Sequence, residues 1–442
     1  MALASNLSIQ LKQNLFFNVN KNSGRWNFSI RPREISENRT ISQLDEWDDL
    51  IKTLVVNVTD KCNLNCVYCS RQFARNRPRS MNEELIRKLL KKAADYAFKK
   101  KIKITVQFHG GEPMLEFQKI IKSIDFLSEN EKSNLRLRIQ TNGTLLNKKI
   151  MEECKKRDIE IGISLDGRQI ENDITRKDAQ KKGTFKTVIR ALGLIKKYQK
   201  DKRCLTVVTN INIKNLDKIL EFFGSIGIND VGFLPLYEEP RTRTIKRGMV
   251  PDMKNLAKYQ EKLFDKWLEL LKNKKYKKLN ISTFQILIWN LLASNSTTKK
   301  FRVNCGVGIN SLFIESDGNI WGCGAFSYAN ELRLGNINND AFEEIQKNNN
   351  YRKFKERITT NVKKCKDCAF QFICGGGCVA NGFRQNKNIF DTDIWCEYWD
   401  EIIKYILIKI YENPKLIKLI PEYNIKKIIT GSQPAPFSLL FF

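Results

Sequence analysis

Three cysteines, Cys62, Cys66 and Cys69, stand as Cys-x3-Cys-x2-Cys in the stretch Thr59-Asp60-Lys61-Cys62-Asn63-Leu64-Asn65-Cys66-Val67-Tyr68-Cys69, a spacing that confines them to one tight loop. Three thiolates hold three irons of a 4Fe-4S cube and leave the fourth without a protein ligand, whereas an electron-carrying ferredoxin closes each cluster with four cysteines. An open iron is a place where a substrate can bind. A zinc site or an incomplete ferredoxin motif is the plainer alternative for the spacing alone.

The rest of the composition favours metal ligation. The chain has 442 residues, enough for two or three domains, and its 12 cysteines are too few for a disulfide scaffold and too clustered to be incidental. Met1 to Ile30 shows no basic-then-apolar run, so no signal peptide and a cytoplasmic, reducing location are expected. No apolar stretch approaches the roughly 20 residues of a membrane span. The formal net charge of +29 would suit an acidic partner. The lysines are nevertheless scattered over helical stretches such as Lys91-Lys92 and Lys272 to Lys278, without interleaved aromatics. A solvated surface is the better reading, and nucleic acid is not the expected partner.

Along the chain, residues 1–50 read as a small N-terminal appendage, with Asn22-Ser23-Gly24 as the turn of a hairpin. Residues 51–240 alternate strand and helix. β-rich runs at Leu54-Val58, Ile104-Phe108, Leu135-Gln140, Glu160-Leu165, Leu205-Asn210 and Val231-Leu236 are separated by stretches with apolar residues at three and four. Six β/α units in series predict parallel strands and an α/β fold, a partial (β/α)6 TIM-like barrel with its site at the C-terminal strand ends. Residues 241–300 read as a helical bridge whose stripe of Leu256, Leu263, Trp267, Leu270 and Leu271 is for packing. Residues 301–400 carry seven more cysteines, and 401–442 a helix interrupted at Asn413-Pro414 and an apolar end, Phe437 to Phe442.

Motifs fall at successive strand ends: the cysteine loop after the first, His109-Gly110-Gly111-Glu112-Pro113 after the second, Gln140-Thr141-Asn142-Gly143 after the third, and Ser164-Leu165-Asp166-Gly167, leading to Asn172-Asp173-x2-Arg176, after the fourth. Paired glycines let backbone approach a ligand, and Glu112 can accept from an ammonium group. His109, the only histidine, reads as filling space beside the cofactor rather than as a base. With these motifs the chain resembles the radical S-adenosylmethionine (SAM) enzymes, whose open iron chelates SAM and reductively cleaves it to a 5′-deoxyadenosyl radical. The resemblance implies SAM contacts from Gly110, Gly111 and Glu112, from Ser164 and Arg176 near the carboxylate, and from Tyr68 and Asn142.

The C-terminal pattern is Cys305, Gly318-x4-Cys323, Cys365-x2-Cys368-x5-Cys374-x3-Cys378 and Cys396. It resembles the seven-cysteine SPASM domain, which binds two auxiliary 4Fe-4S clusters, so three clusters in all are expected. The resemblance implies that Cys365, Cys368, Cys374 and Cys396 close an outer cluster, and that Cys305, Cys323 and Cys378 hold an inner one that is a ligand short. Sulfatase maturases of this group have a further cysteine about where Ser311 stands and an aspartate where this chain has Gly324. Cys154 and Cys204 read as small buried side chains, and are the first places to look for a fourth ligand.

The expected function is therefore a radical SAM peptide maturase that modifies a ribosomally made peptide or protein, with thioether formation at the open inner cluster as the leading outcome. Sulfatase maturation and carbon-carbon crosslinking are the alternatives within the class; a non-catalytic metalloprotein binding nucleic acid is the alternative outside it. Implied partners are the precursor peptide, a flavodoxin or ferredoxin as electron donor, and a separate leader-recognition protein, since about 50 residues are too few for a complete winged-helix domain. Anaerobically purified protein should carry about 12 irons per chain. Replacing Cys62, Cys66 and Cys69 together by alanine should remove about a third of that iron and abolish dithionite-driven release of 5′-deoxyadenosine; release by the triple variant would place the SAM-cleaving cluster elsewhere.

Overall fold

A computed structural model describes residues 6–12, 15–20, 26–29, 49–71, 78–237, 247–294 and 304–421. The expected Asn22-Ser23-Gly24 turn and the Phe437 to Phe442 end lie outside the described residues. At the N-terminus β1 (Asn6–Lys12), β2 (Leu15–Asn20) and β3 (Trp26–Ser29) form an antiparallel sheet, one strand more than the hairpin expected. Its aromatic residues face other parts of the chain. Phe17 packs on Phe370 and Phe28 on Tyr411, while the Trp26 indole donates to the Leu291 carbonyl at 2.8 Å.

The six predicted strands are all present: β4 (Thr53–Thr59), β5 (Ile104–Gly110), β6 (Leu135–Thr141), β7 (Ile159–Ser164), β8 (Arg203–Val208) and β9 (Asp230–Pro235). They pair in parallel in sequence order, as the alternation required. Every residue of β4 is buried, which its run of β-branched residues suits: a parallel strand covered on both faces has no polar side to present. The helix Glu83–Lys100 shows why the crossovers are helical. The Asn82 side chain caps it by accepting from the Leu85 amide, Glu83 and Glu84 lie at its positive end and Lys99 and Lys100 at its negative end, and its buried face runs from Leu85 and Ile86 to Tyr96 and Ala97.

Two additions extend this sheet. From the bridge, β10 (Asn280–Ile281) pairs with β9 in parallel. At the opposite edge, β11 (Ser311–Ile314) pairs in parallel with β4, Ser311 opposite Thr53 and Ile314 opposite Val56, and carries β12 (Asn319–Trp321) and β13 (Gly335–Asn336) in antiparallel array. The cysteine-rich region thus continues the barrel's own sheet, which runs β10-β9-β8-β7-β6-β5-β4-β11-β12-β13. Without β11, the edge of β4 would present unpaired backbone groups beside the functional loop.

The bridge helix Met253–Leu271 buries the predicted stripe, and Trp267 in it donates its indole N–H to the Leu279 carbonyl at 2.9 Å. The final helix, Cys396–Glu412, starts five residues before the expected residue 401, and it ends at Asn413-Pro414 as anticipated. Among the described residues no helix is long and apolar enough to cross a membrane. Trp267 is fully buried, so Trp267→Ala should cost about 3–5 kcal/mol, read as a fall in the thermal unfolding midpoint, and Trp267→Phe should cost less while still leaving the Leu279 carbonyl without its donor.

Candidate active site and cluster-binding centres

Hydrogen bonds from two sides shape the first cysteine loop. The Asn65 amide donates to the Lys177 carbonyl at 2.6 Å and the Val67 amide to the Thr175 carbonyl at 2.9 Å, which ties the loop to the segment following β7. On the other side, buried Asp60 accepts from Arg71 Nη1 at 2.9 Å and Asn57 Nδ2 at 3.0 Å, and Arg71 reaches on to Glu315, just past β11, at 3.0 Å. The loop is thereby locked to both its own barrel and the cysteine-rich region.

Cys62, Cys66 and Cys69 line a cavity of about 250 Å³ at the C-terminal strand ends, together with Tyr68, Gly110, Gly111, Asn142, Ser164, Arg176 and His109. Its far wall is apolar: Leu205, Val207, Leu234 and Leu236, joined by Phe313, Gly324 and Ala325 from the cysteine-rich region. Sequence reasoning located nearly all the polar residues but not this wall, which comes from short segments distant in sequence.

Glu112 stands apart from the other predicted residues. It is fully buried and does not line the cavity: its carboxylate accepts from Thr141 Oγ1 at 2.7 Å, the Asn142 amide at 2.8 Å and the Met114 amide at 3.0 Å. Burial pushes its pKa up, and these donors oppose that rise. Glu112 therefore braces the ends of β5 and β6. The glycines likewise serve the chain's own packing. Gly110 has φ +133°, and a Cβ on Gly111 would stand 2.2 Å from the Lys61 carbonyl oxygen, so the backbone here fits directly under the cysteine loop.

Asp166, quoted in the sequence only as part of a motif, is the hub of the site. Fully buried, it accepts from Tyr68 Oη at 2.6 Å, Thr175 Oγ1 at 2.8 Å and the Val207 amide at 3.0 Å, and it pairs with Arg176 at 3.1 Å. Burial works against the Arg176 charge, but Asp166, together with Tyr68 and Cys66, more than offsets it and keeps the guanidinium cationic. Burial also lifts the Tyr68 hydroxyl well above its ordinary pKa, so it remains a donor to Asp166. The result is a fixed cation in the cavity, with Ser164 accepting from Gln140 at 3.0 Å nearby. The signal for Asp166 was available: a carboxylate at a strand end, ten residues before an arginine.

The C-terminal cysteines lie in two groups. Cys365, Cys368, Cys374 and Cys396 surround a second cavity of about 470 Å³. Cys305, Cys323 and Cys378 are each nearly fully buried. Burial drives the Cys378 thiol far above its ordinary pKa, with Asp393 and then Cys305 adding to it, so these cysteines feel one another's charge. Between Cys374 and Cys378, Gly375, Gly376 and Gly377 all have positive φ, 67°, 78° and 67°, a path that other residues would strain. Cys154 has Arg157 and Glu153 as its charged neighbours, and Cys204 donates to the Leu165 carbonyl. Neither is among the groups acting most strongly on Cys378.

These donor sets suit iron-sulfur cores better than zinc. The cysteines are thiols rather than disulfides. Among the described residues no three His, Cys, Asp or Glu side chains converge closely enough to hold one metal ion, as a zinc site requires. Cys62, Cys66 and Cys69 line one cavity and Cys365, Cys368, Cys374 and Cys396 another. Burial pushes the Cys66 thiol up to about 12, so a cationic core is what would hold such thiols as thiolates. Arg176, Ser164 and Asn142 line the cavity, where a cation and polar groups would suit the carboxylate and other polar groups of SAM.

Residues 56–223 match the radical SAM superfamily, and residues 305–369 match SPASM, an iron-sulfur cluster-binding domain. The chain is a radical SAM enzyme with a SPASM domain. SAM and several 4Fe-4S clusters are its cofactors. An uncharacterised protein of Methanocaldococcus jannaschii is 37% identical over 186 residues, which is 42% of this chain and 63% of that one, so the chain spans less than two thirds of this relative. A cysteine-type anaerobic sulfatase-maturating enzyme of Clostridium novyi is 28% identical over 78% of this chain and 92% of its own length. Among solved structures, native anSMEcpe with bound AdoMet superposes with a TM-score of 0.68 at 25% identity, covering 83% of this chain and 98% of that one.

Asp166→Asn should leave iron content unchanged and raise the SAM dissociation constant at least tenfold, about 1.4 kcal/mol, because Arg176 loses its anchor; calorimetry on the reconstituted protein measures it. Gly111→Ala should instead displace the cysteine loop and reduce iron by about four atoms per chain.

Proposed function

We propose that this enzyme modifies a residue of a peptide or protein by hydrogen-atom removal, and that the modification is a thioether crosslink to a substrate cysteine. With a cluster held by Cys62, Cys66 and Cys69 and SAM in the first cavity, the chemistry available would be a carbon-centred radical formed on one-electron reduction, with a flavodoxin or ferredoxin as the proposed donor. The chain's residues do the rest: Arg176, fixed by Asp166 and Tyr68, orients the cofactor, while Leu205, Val207, Leu234 and Leu236 keep water from the reacting carbon.

One observation carries the thioether reading. Gly324, the neighbour of Cys323, lines the cavity beside Phe313 and Ala325. The position that holds an aspartate in sulfatase maturases therefore faces the reaction space, yet offers no base. Cys323 is the chain neighbour of Gly324, and the proposal is that a substrate thiolate, taken up as the missing ligand of the set Cys305, Cys323 and Cys378, reacts with a radical carbon in that space. Ser311, at the place of the maturases' extra cysteine, sits buried at the start of β11, and its hydroxyl has no hydrogen-bond partner.

Sulfatase maturation is the second reading, favoured by the names of several relatives in Clostridium and Bacteroides. Carbon-carbon crosslinking would use the same parts. A separate recognition protein is proposed to deliver the substrate.

Mass spectrometry of cysteine-containing peptides encoded beside the gene, incubated with SAM and reductant, separates the outcomes. A thioether retains sulfur, loses two hydrogens and leaves a cysteine that no longer alkylates. Formylglycine loses the sulfur, and a carbon-carbon bond leaves the thiol reactive; either product would sink the thioether proposal. Ser311→Cys should supply a fourth inner ligand and lower crosslinking at least tenfold while leaving 5′-deoxyadenosine release without substrate unchanged.

A further inference from the structure

Asp393 lies between the two sets of auxiliary cysteines and is 3% exposed. Its Oδ2 accepts from the Cys378 amide at 2.7 Å and from the Trp399 indole at 3.0 Å; its Oδ1 accepts from the Trp395 amide at 2.9 Å and from Asn381 Nδ2 at 3.0 Å. Its backbone carbonyl accepts from the Cys396 amide at 3.0 Å. One residue thus binds the backbone of Cys378, assigned to the inner cluster, and of Cys396, assigned to the outer. It also lines the cavity ringed by the outer cysteines. The fit leaves no slack: a Cβ on Gly377 would lie 2.5 Å from Oδ2.

Four donors converge on this one buried carboxylate. Burial is the main cause of the raised pKa of Cys365, Cys374 and Cys396 on the outer side and of Cys378 on the inner side, and Asp393 acts in the same direction on all four. The other charges nearby are more partial. Lys364 and Asp400 face Cys368 and Cys396, Arg357 faces Cys365 and Arg384 faces Cys378.

We propose that Asp393 is a positioning residue that fixes the two auxiliary clusters in one frame and lowers the reduction potentials of both together. Reduction adds an electron to each cluster, and a buried negative charge in a medium of low dielectric opposes it. Both clusters are thereby made weaker oxidants, which restricts the electrons they accept to those released by a strongly reducing radical. This inference rests on the assignment of the cysteines to clusters and not on the bond the enzyme makes.

The test is potentiometric titration of anaerobically reconstituted protein followed by electron paramagnetic resonance. In Asp393→Asn the potentials of both auxiliary clusters should rise, with that of the Cys62, Cys66 and Cys69 cluster unmoved and iron content unchanged. Unchanged auxiliary potentials, or a shift in one cluster alone, would overturn the proposal. If that variant loses iron, Trp399→Phe decides, since it keeps the charge and removes one of its donors: both potentials should then fall below those of the unaltered protein. A role confined to holding shape predicts no fall, and that result would also overturn the proposal.

Discussion

β4 is the strand on which the site depends. It lies buried between β5 and β11, and the chain leaving its C-terminal end becomes the loop bearing Cys62, Cys66 and Cys69. A strand held by parallel neighbours on both edges cannot slip without moving every side chain to the opposite face. The loop inherits that precision. Asp60, Arg71 and Glu315 then carry it outward, linking the first cysteine loop to the end of β11 through ion pairs with little exposure. Burial opposes the Arg71 charge, but Glu315 and Asp60 more than compensate, which is the condition under which a buried ion pair is worth keeping.

Most of the fold and the chemistry could be read from residue types. The six barrel strands are runs of β-branched residues bounded by helical periodicity, and cysteine spacing marks the ligand loops without help from tertiary structure. The remainder was set by contacts that spacing does not encode. With two and four residues, β10 and β11 are too short to display any alternation, and only the need of β9 and β4 for edge partners brings them into the sheet. Glu112 was visible as a carboxylate in a glycine turn, but whether it faced a ligand or the chain's own amides depended on the position of Thr141 and Asn142. Asp166 and Asp393 were inconspicuous for the same reason: a hub is defined by its donors, and those of Asp166 come from β8, the cysteine loop and the helix Gln169–Thr175.

The two carboxylates solve related problems in different ways. Asp166 is paired with a cation, so its charge is spent on orienting Arg176. Asp393 has neutral donors only among its hydrogen bonds, and its charge remains to act on whatever the neighbouring cysteines hold. Buried acids that look alike in sequence thus differ in role according to whether their field is cancelled locally.

The pairing of β4 with β11 also bears on the order in which the protein is made. Ser311 bonds to a strand that begins at Thr53, so some 250 residues emerge from the ribosome before the edge of β4 can close. During that interval the barrel strands can assemble among themselves, but an apolar strand edge stays open beside three thiols. Such an edge invites pairing with another nascent chain. Arg71 cannot meet Glu315 until the same moment, so the first cysteine loop settles late. Until the C-terminal third is synthesised, the loop is held on its barrel side, through Lys177 and Thr175, and lacks the tie from Arg71 to Glu315.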